Sequence, residues 1–101
     1  MKYDILLAKV YFDDNPSQAK VRPIPELGAN QAMILGSKIT SHLPRPNYAD
    51  KYQIKNYYGT GLTKKSTIRL SKTFSIPKIN IIKKLGKLSS LDINNIQKLG
   101  Y

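Results

Sequence analysis

The chain has 101 residues, 17 Lys and Arg against six Asp and Glu, a formal charge of +11, and no cysteine. That length allows a single domain over 1–101 with one modest core, and the missing cysteines exclude disulfides, thiolate metal sites and a cysteine nucleophile. No segment is long and apolar enough to cross a bilayer and no signal-peptide pattern opens the chain, so a cytoplasmic protein without membrane contact is expected.

Residues 3–12 form the clearest strand, with Leu6, Ala8, Val10 and Phe12 on one apolar face and Ile5, Leu7 and Tyr11 on the other. Two apolar faces suit a strand inside a small closed sheet. Residues 13–17, Asp-Asp-Asn-Pro-Ser, read as a turn. A second strand follows over 21–27, and because Pro23 and Pro25 cannot donate to a ladder, it is expected at an edge or irregular. Gly28, Ala29 and Asn30 turn the chain into a third strand at 32–41, with Met33, Leu35 and Ile39 inward and Thr40 pointing away from them. Pro44 and Pro46 mark 42–50 as a loop. Short strands are predicted at 52–54 and 66–70, the latter with Thr67 and Arg69 on one side, separated by a break at Gly59-Thr60-Gly61. A further strand over 79–88 follows an irregular turn at Ile76-Pro77.

The end of the chain reads as a helix. Ser89 is its cap, Asp92 stands where a capping box places its acid, and Leu88 with Ile93 fits a hydrophobic staple. Ile93, Ile96 and Leu99 repeat on one face. The expected fold is mainly β with α additions: a small SH3-like, partly closed barrel with a C-terminal helix.

Coding bias toward Lys, Ile and Asn explains part of the charge, yet Glu26 is the only glutamate, so acids are depleted. A polyanionic partner follows. The basic residues are dispersed and form no amphipathic basic helix, which argues against a membrane surface. Enzymatic chemistry is restricted too. Two-metal catalysis needs convergent carboxylates, and one histidine without cysteine makes a poor zinc site. Gly59-Thr60-Gly61 lacks the lysine-hydroxyl pattern of a phosphate loop. No metal and no cofactor are expected.

Metal-independent RNA cleavage stays within this inventory, because the ribose 2′-hydroxyl is an internal nucleophile that needs only alignment and charge stabilisation. Arg22, between Val21 and Pro23 on a stiff strand, offers a fork for two phosphate oxygens, and Thr40 offers a hydroxyl. The bland alternatives are a surface arginine and a threonine that merely favours strands. His42 has a suitable pKa for a base but stands at the mouth of a Pro-rich loop, where contact with substrate is its expected role. Tyr48, Tyr52, Tyr57 and Tyr58 interleave with Arg45, Lys51 and Lys55, a pattern suited to stacking on single-stranded bases or, equally, to covering a small barrel.

The ordered set Asp4-Ile5-Leu6-Leu7, Lys20-Val21-Arg22-Pro23, Ile39-Thr40-Ser41, Ala49-Asp50-Lys51-Tyr52, Gly61-Leu62, Ser66-Thr67-Ile68-Arg69-Leu70 and Lys84-Leu85-Gly86-Lys87-Leu88-Ser89 resembles the MazF/PemK toxins of type II toxin–antitoxin systems. The resemblance runs over nearly the whole chain. It implies a dimeric, metal-independent, sequence-selective endoribonuclease that leaves a 2′,3′-cyclic phosphate, with Arg22 and Thr40 as catalytic residues. Lys20, Ser41, His42, Arg45, Tyr48, Lys51, Tyr52 and Lys55 are the expected substrate contacts, single-stranded RNA the substrate, and an acidic cognate antitoxin the protein partner. Where the family's second strand continues in aliphatic residues after Arg-Pro, this chain has Pro25-Glu26 after Ile24, and the loop at 42–50 carries no mappable motif. The competing readings are a non-catalytic RNA- or ribosome-binding barrel and a gyrase-directed toxin on the related fold.

Overall fold

The apolar alternation on both sides of the first strand is met by a core on each of its faces. In the computed structural model, which describes residues 1–12, 15–40 and 51–101, β1 (Asp4–Phe12) carries Ile5 into one buried cluster and Leu6, Ala8 and Val10 into another. Each fully buried aliphatic side chain of this kind contributes about 1.5–3 kcal/mol. The first cluster includes Leu27, Tyr52, Ile54, Ile68, Leu88 and Ile96; the second includes Ile24, Ile34 and Ile76.

The remaining elements are β2 (Asn15–Ala29), β3 (Met33–Thr40), β4 (Lys51–Gln53), β5 (Thr67–Pro77), a 3₁₀ turn (Lys78–Asn80), β6 (Ile81–Lys87) and α1 (Ser90–Lys98). Among the described residues the strands form one antiparallel sheet in the order β4-β5-β3-β2-β1-β6. It is mostly β with one C-terminal helix, as expected, and the sheet is not closed: β4 and β6 are its edges. Among the described residues no helix is long and apolar enough to cross a membrane.

The prolines leave their mark on β2. From Asn15 to Pro25 the strand pairs only with β1, Pro23 opposite Leu7 and Pro25 opposite Ile5, so one side needs no donors. From Glu26 onward it gains β3 as a second neighbour, with a bulge between Glu26 and Gly28. The edge expectation therefore holds for the Pro-containing part and fails for the last four residues.

Other boundaries differ from the sequence reading. Asn15, Pro16 and Ser17 belong to β2 rather than to a turn, while 13–14 lie outside the described residues. Gly28 and Ala29 extend the same strand, and the reversal falls on Asn30, whose Oδ1 accepts from the backbone N–H of Ala32 and Met33. On β3 the inward pair is not Met33 and Leu35: Ile34 is 2% exposed and Leu35 39%. Ile39 packs on the first cluster and Ile34 in the second, because the two cores meet opposite faces of this strand. β5 does not stop at Leu70. Ser37 pairs with Thr73 and Lys38 with Arg69, so 70–72 form a bulge, and the polar Ser71-Lys72-Thr73 run mimics a strand end. Ile79 is in the 3₁₀ turn and exposed.

The helix begins as its signals predict. Ser89 Oγ accepts from Asp92 N, and Leu88 and Ile93 both join the first cluster. Leu99 is the exception: it lies past the helix end and is largely exposed.

Candidate nucleic-acid interface

Across β3, β5 and β4 the register sets residues in rows. Lys38 faces Arg69, and Arg69 faces Lys51; one residue on, Ile39, Ile68 and Tyr52 align; the next row is Thr40, Thr67 and Gln53. Directly paired residues share a face and successive rows alternate. The middle row enters the first core. The outer two rows therefore share the opposite face, and that face is polar, with three cations side by side in one row. Like charges directly opposite one another destabilise a sheet.

The same side of the molecule carries basic residues of β2. Arg22 pairs with Ala8 and Lys20 with Val10, both residues of the second core, so Arg22 and Lys20 lie on that core's face of the hairpin and are exposed at its rim. On β3 this face carries Ile34 and Gly36, and by alternation Lys38 and Thr40 beyond them. A Cβ at Gly36 would meet Ile24 Cδ1 at 3.2 Å, which confirms the side to which it is turned. The last β2–β3 pair is Glu26 with Gly36, and four residues further along each strand come Arg22 and Thr40. The two groups thus emerge at the same level on neighbouring strands, beyond the point where their ladder ends.

None of the described acids forms an ion pair with these cations. Asp4 binds the Met1 ammonium at 2.8 Å and Lys84 at 3.3 Å, and Glu26 binds the same ammonium at 3.2 Å. Burial pushes the Asp4 carboxyl pKa up, but the Met1 ammonium and Lys84 overcome it and hold the value below the ordinary one. Asp92, fully buried, accepts from Tyr52 Oη, Ser89 Oγ and the backbone N–H of Lys55 and Asn56. Arg69 is half-buried, and its Nε has no hydrogen-bond partner; the same is true of the buried hydroxyl of Thr67.

Of the residues expected to touch substrate, Lys20 is exposed on β2 and Lys51 half-buried on β4. Lys55 is exposed just after β4, with its backbone tied to Asp92. Tyr52 is not a stacking platform. It is 7% exposed in the first core, its hydroxyl bonded to Asp92 and Asn95, and burial together with the Asp92 carboxylate raises its pKa to about 12. Tyr57 also packs on that core and accepts from Ser66 N, whereas Tyr58 is 91% exposed. Ser41, His42, Arg45 and Tyr48 lie outside the described residues.

Lys38, Gln53, Thr67 and Arg69 are not among the site residues that the sequence predicts. The spacing of Thr67 and Arg69 on one side of a strand is readable; their alignment with Lys38 and Lys51 is not, because it depends on strand order.

The fold is MazF-like. The chain matches Mycobacterium tuberculosis toxin MazF-mt6 with a TM-score of 0.72 and 18% sequence identity, over 95% of this chain and 90% of that one. No family model and no curated relative matches the sequence.

Proposed function

We propose that this protein is a metal-independent endoribonuclease toxin of the MazF/PemK type, cleaving single-stranded RNA at selected sequences and neutralised by an acidic antitoxin. The observation that carries this reading is the emergence of Arg22 and Thr40 at one level on adjacent strands, beside a basic face, within a MazF-like fold. A charge of +11 supports both an RNA substrate and an acidic partner.

In the reaction, the 2′-oxygen attacks the adjacent phosphorus and the bond to the 5′-oxygen breaks. The products are a 2′,3′-cyclic phosphate and a 5′-hydroxyl; one proton leaves the nucleophile and one reaches the leaving oxygen. The Arg22 fork stabilises two non-bridging oxygens of the phosphorane and stays protonated throughout, since its pKa exceeds 12. Thr40 donates to a further oxygen or orients the 2′-hydroxyl. Arginine, lysine, threonine and glutamine side chains do not titrate near neutrality, so the described part of this site acts by charge and alignment, with solvent relaying the protons.

The protein works as a homodimer in this reading. Tyr11 and Val21 leave apolar surface exposed on the β1–β2 hairpin, 56% and 50% respectively, which accords with a partner there. Sedimentation at micromolar concentration tests the dimer, and a monomer counts against it.

The decisive experiment is incubation of the purified protein with single-stranded RNA in EDTA, followed by end-group analysis. Cleavage to cyclic-phosphate ends is expected. Tight RNA binding without cleavage would assign a non-catalytic RNA-binding barrel instead.

A further inference from the structure

We propose that Arg69, flanked in register by Lys38 and Lys51, is a seat for an RNA backbone phosphate next to the one that Arg22 and Thr40 hold. The inference rests on the RNA-cleaving reading above and adds a binding position to it.

Three observations carry it. The first is the row itself: Lys38, Arg69 and Lys51 are direct cross-strand neighbours on three adjacent strands, an arrangement that repels itself. The second is the state of Arg69. It is half-buried, and its side chain has no hydrogen bond or ion pair among the described residues, its Nε included. A guanidinium withdrawn from water is ordinarily paired. An anion bridging the row would relieve both conditions at once, and the planar fork suits the geometry of phosphate oxygens. The third is position. Arg69 lies one strand across from Thr40 and one row further back on the same face, about 8 Å away by strand geometry. A strand of RNA whose scissile phosphate sits at Thr40 carries its neighbouring phosphates past the row.

A phosphate here is favoured over an acidic peptide because the row continues the face that holds Arg22 and Thr40, so one polyanion meets both. Such a contact is independent of base identity. It lends grip rather than sequence choice.

The test uses the intact protein and an uncleavable 2′-O-methyl single-stranded RNA, with affinity measured over a range of salt. Each lost phosphate contact reduces the slope of log K against log salt by about 0.7 on single strands. Arg69→Gln is expected to reduce it by about that amount, and Arg69→Lys to restore most of it. Lys38→Gln and Lys51→Gln, at less buried positions, should each flatten the slope as well, and they keep the test valid if Arg69→Gln does not fold, as judged by circular dichroism. A wild-type slope in folded row variants overturns the seat while leaving the RNA reading intact. So does a wild-type RNA slope combined with lost binding of a polyglutamate peptide, which would give the row to an acidic segment. Absence of RNA binding by the wild type would remove the RNA reading itself, and the seat with it.

Discussion

The Tyr52 hydroxyl donates to the Asp92 carboxylate, fastening the edge strand β4 to the first turn of α1. β4 is three residues long and has a single neighbour, β5, so this bond and those from Asp92 to the backbone of Lys55 and Asn56 hold it where its ladder is weak. Lys51 and Gln53, on the basic face, are positioned by a carboxylate on the far side of the sheet.

Asp92→Ala should be strongly destabilising. It strands two backbone donors and two hydroxyls near a buried site, for a loss of about 3 kcal/mol or more. In a domain of this size the melting temperature would fall by roughly 12–24 °C, read by circular dichroism. Asp92→Asn keeps one acceptor oxygen and should lie between wild type and alanine. A melting temperature equal to wild type for the alanine variant would mean that β4 is held in place without this carboxylate.

Alkaline titration should separate Tyr52 from the other tyrosines. Burial and Asp92 raise its pKa from 10.0 to about 12, so the folded state holds this proton more tightly than the unfolded chain does. Its contribution to stability is fully present below pH 10 and is lost as pH rises through about 12. Tyrosinate absorbance in the folded protein should show a late step that Tyr52→Phe abolishes. A titration without that step would mean the hydroxyl is not buried against a carboxylate.

Glycine substitutions should split into severe and mild. A Cβ at Gly86 would overlap the Gly59 carbonyl oxygen, and one at Gly61 would stand 2.6 Å from the Leu85 carbonyl oxygen with φ at +77°. Both sit where the Gly59–Gly61 turn crosses β6, fixed by the bond from Lys87 N to Gly59 O. Gly100, with φ at +96° and open space around it, should cost only the left-handed penalty, about 1–2 kcal/mol, on conversion to alanine. Urea unfolding should rank Gly86→Ala well below Gly100→Ala; the reverse order would contradict the crossing.

Catalysis should fail at two positions and survive at a third. Arg22→Ala is expected to slow cleavage by about 10²–10³, as loss of a transition-state donor does. Arg22→Lys should rescue little, because an ammonium cannot reproduce the fork. Thr40→Val should fold and turn over slowly, while His42→Ala should retain most activity. Rates and end groups on one RNA in EDTA decide it. Wild-type rates for the Arg22 and Thr40 variants beside an inactive His42→Ala would replace the mechanism with a histidine-based one.

Signals in the sequence are legible where the structure is decided locally. Alternation gives β1 and both of its cores, and Ser89, Asp92, Leu88 and Ile93 give the helix start, because caps and staples act over one turn. The role of Asp92 is only half legible. Its place in a capping box can be read, but its hold on Tyr52 spans 40 residues and depends on packing. For the same reason Tyr52 looks like a stacking aromatic in the sequence. Its row partners Ile39 and Ile68, which carry it into the core, become its neighbours only after strand order is known. The inward face of β3 is misleading because Met33, Leu35 and Ile39 satisfy a period of two, whereas the strand is buried on different faces at its two ends.

β2 has a further consequence, for folding. Its early residues are laddered to β1 and its last four to β3, so the β1–β6 side and the β3–β5–β4 side share one continuous strand. Neither side can open at Glu26 without freeing donors and acceptors on the other. The sheet should therefore unfold as a single cooperative unit, and the most protected amides of β1 and β5 should exchange with the same free energy of opening. Most of these pairings join distant parts of the chain, so that unit is expected to assemble slowly for its size.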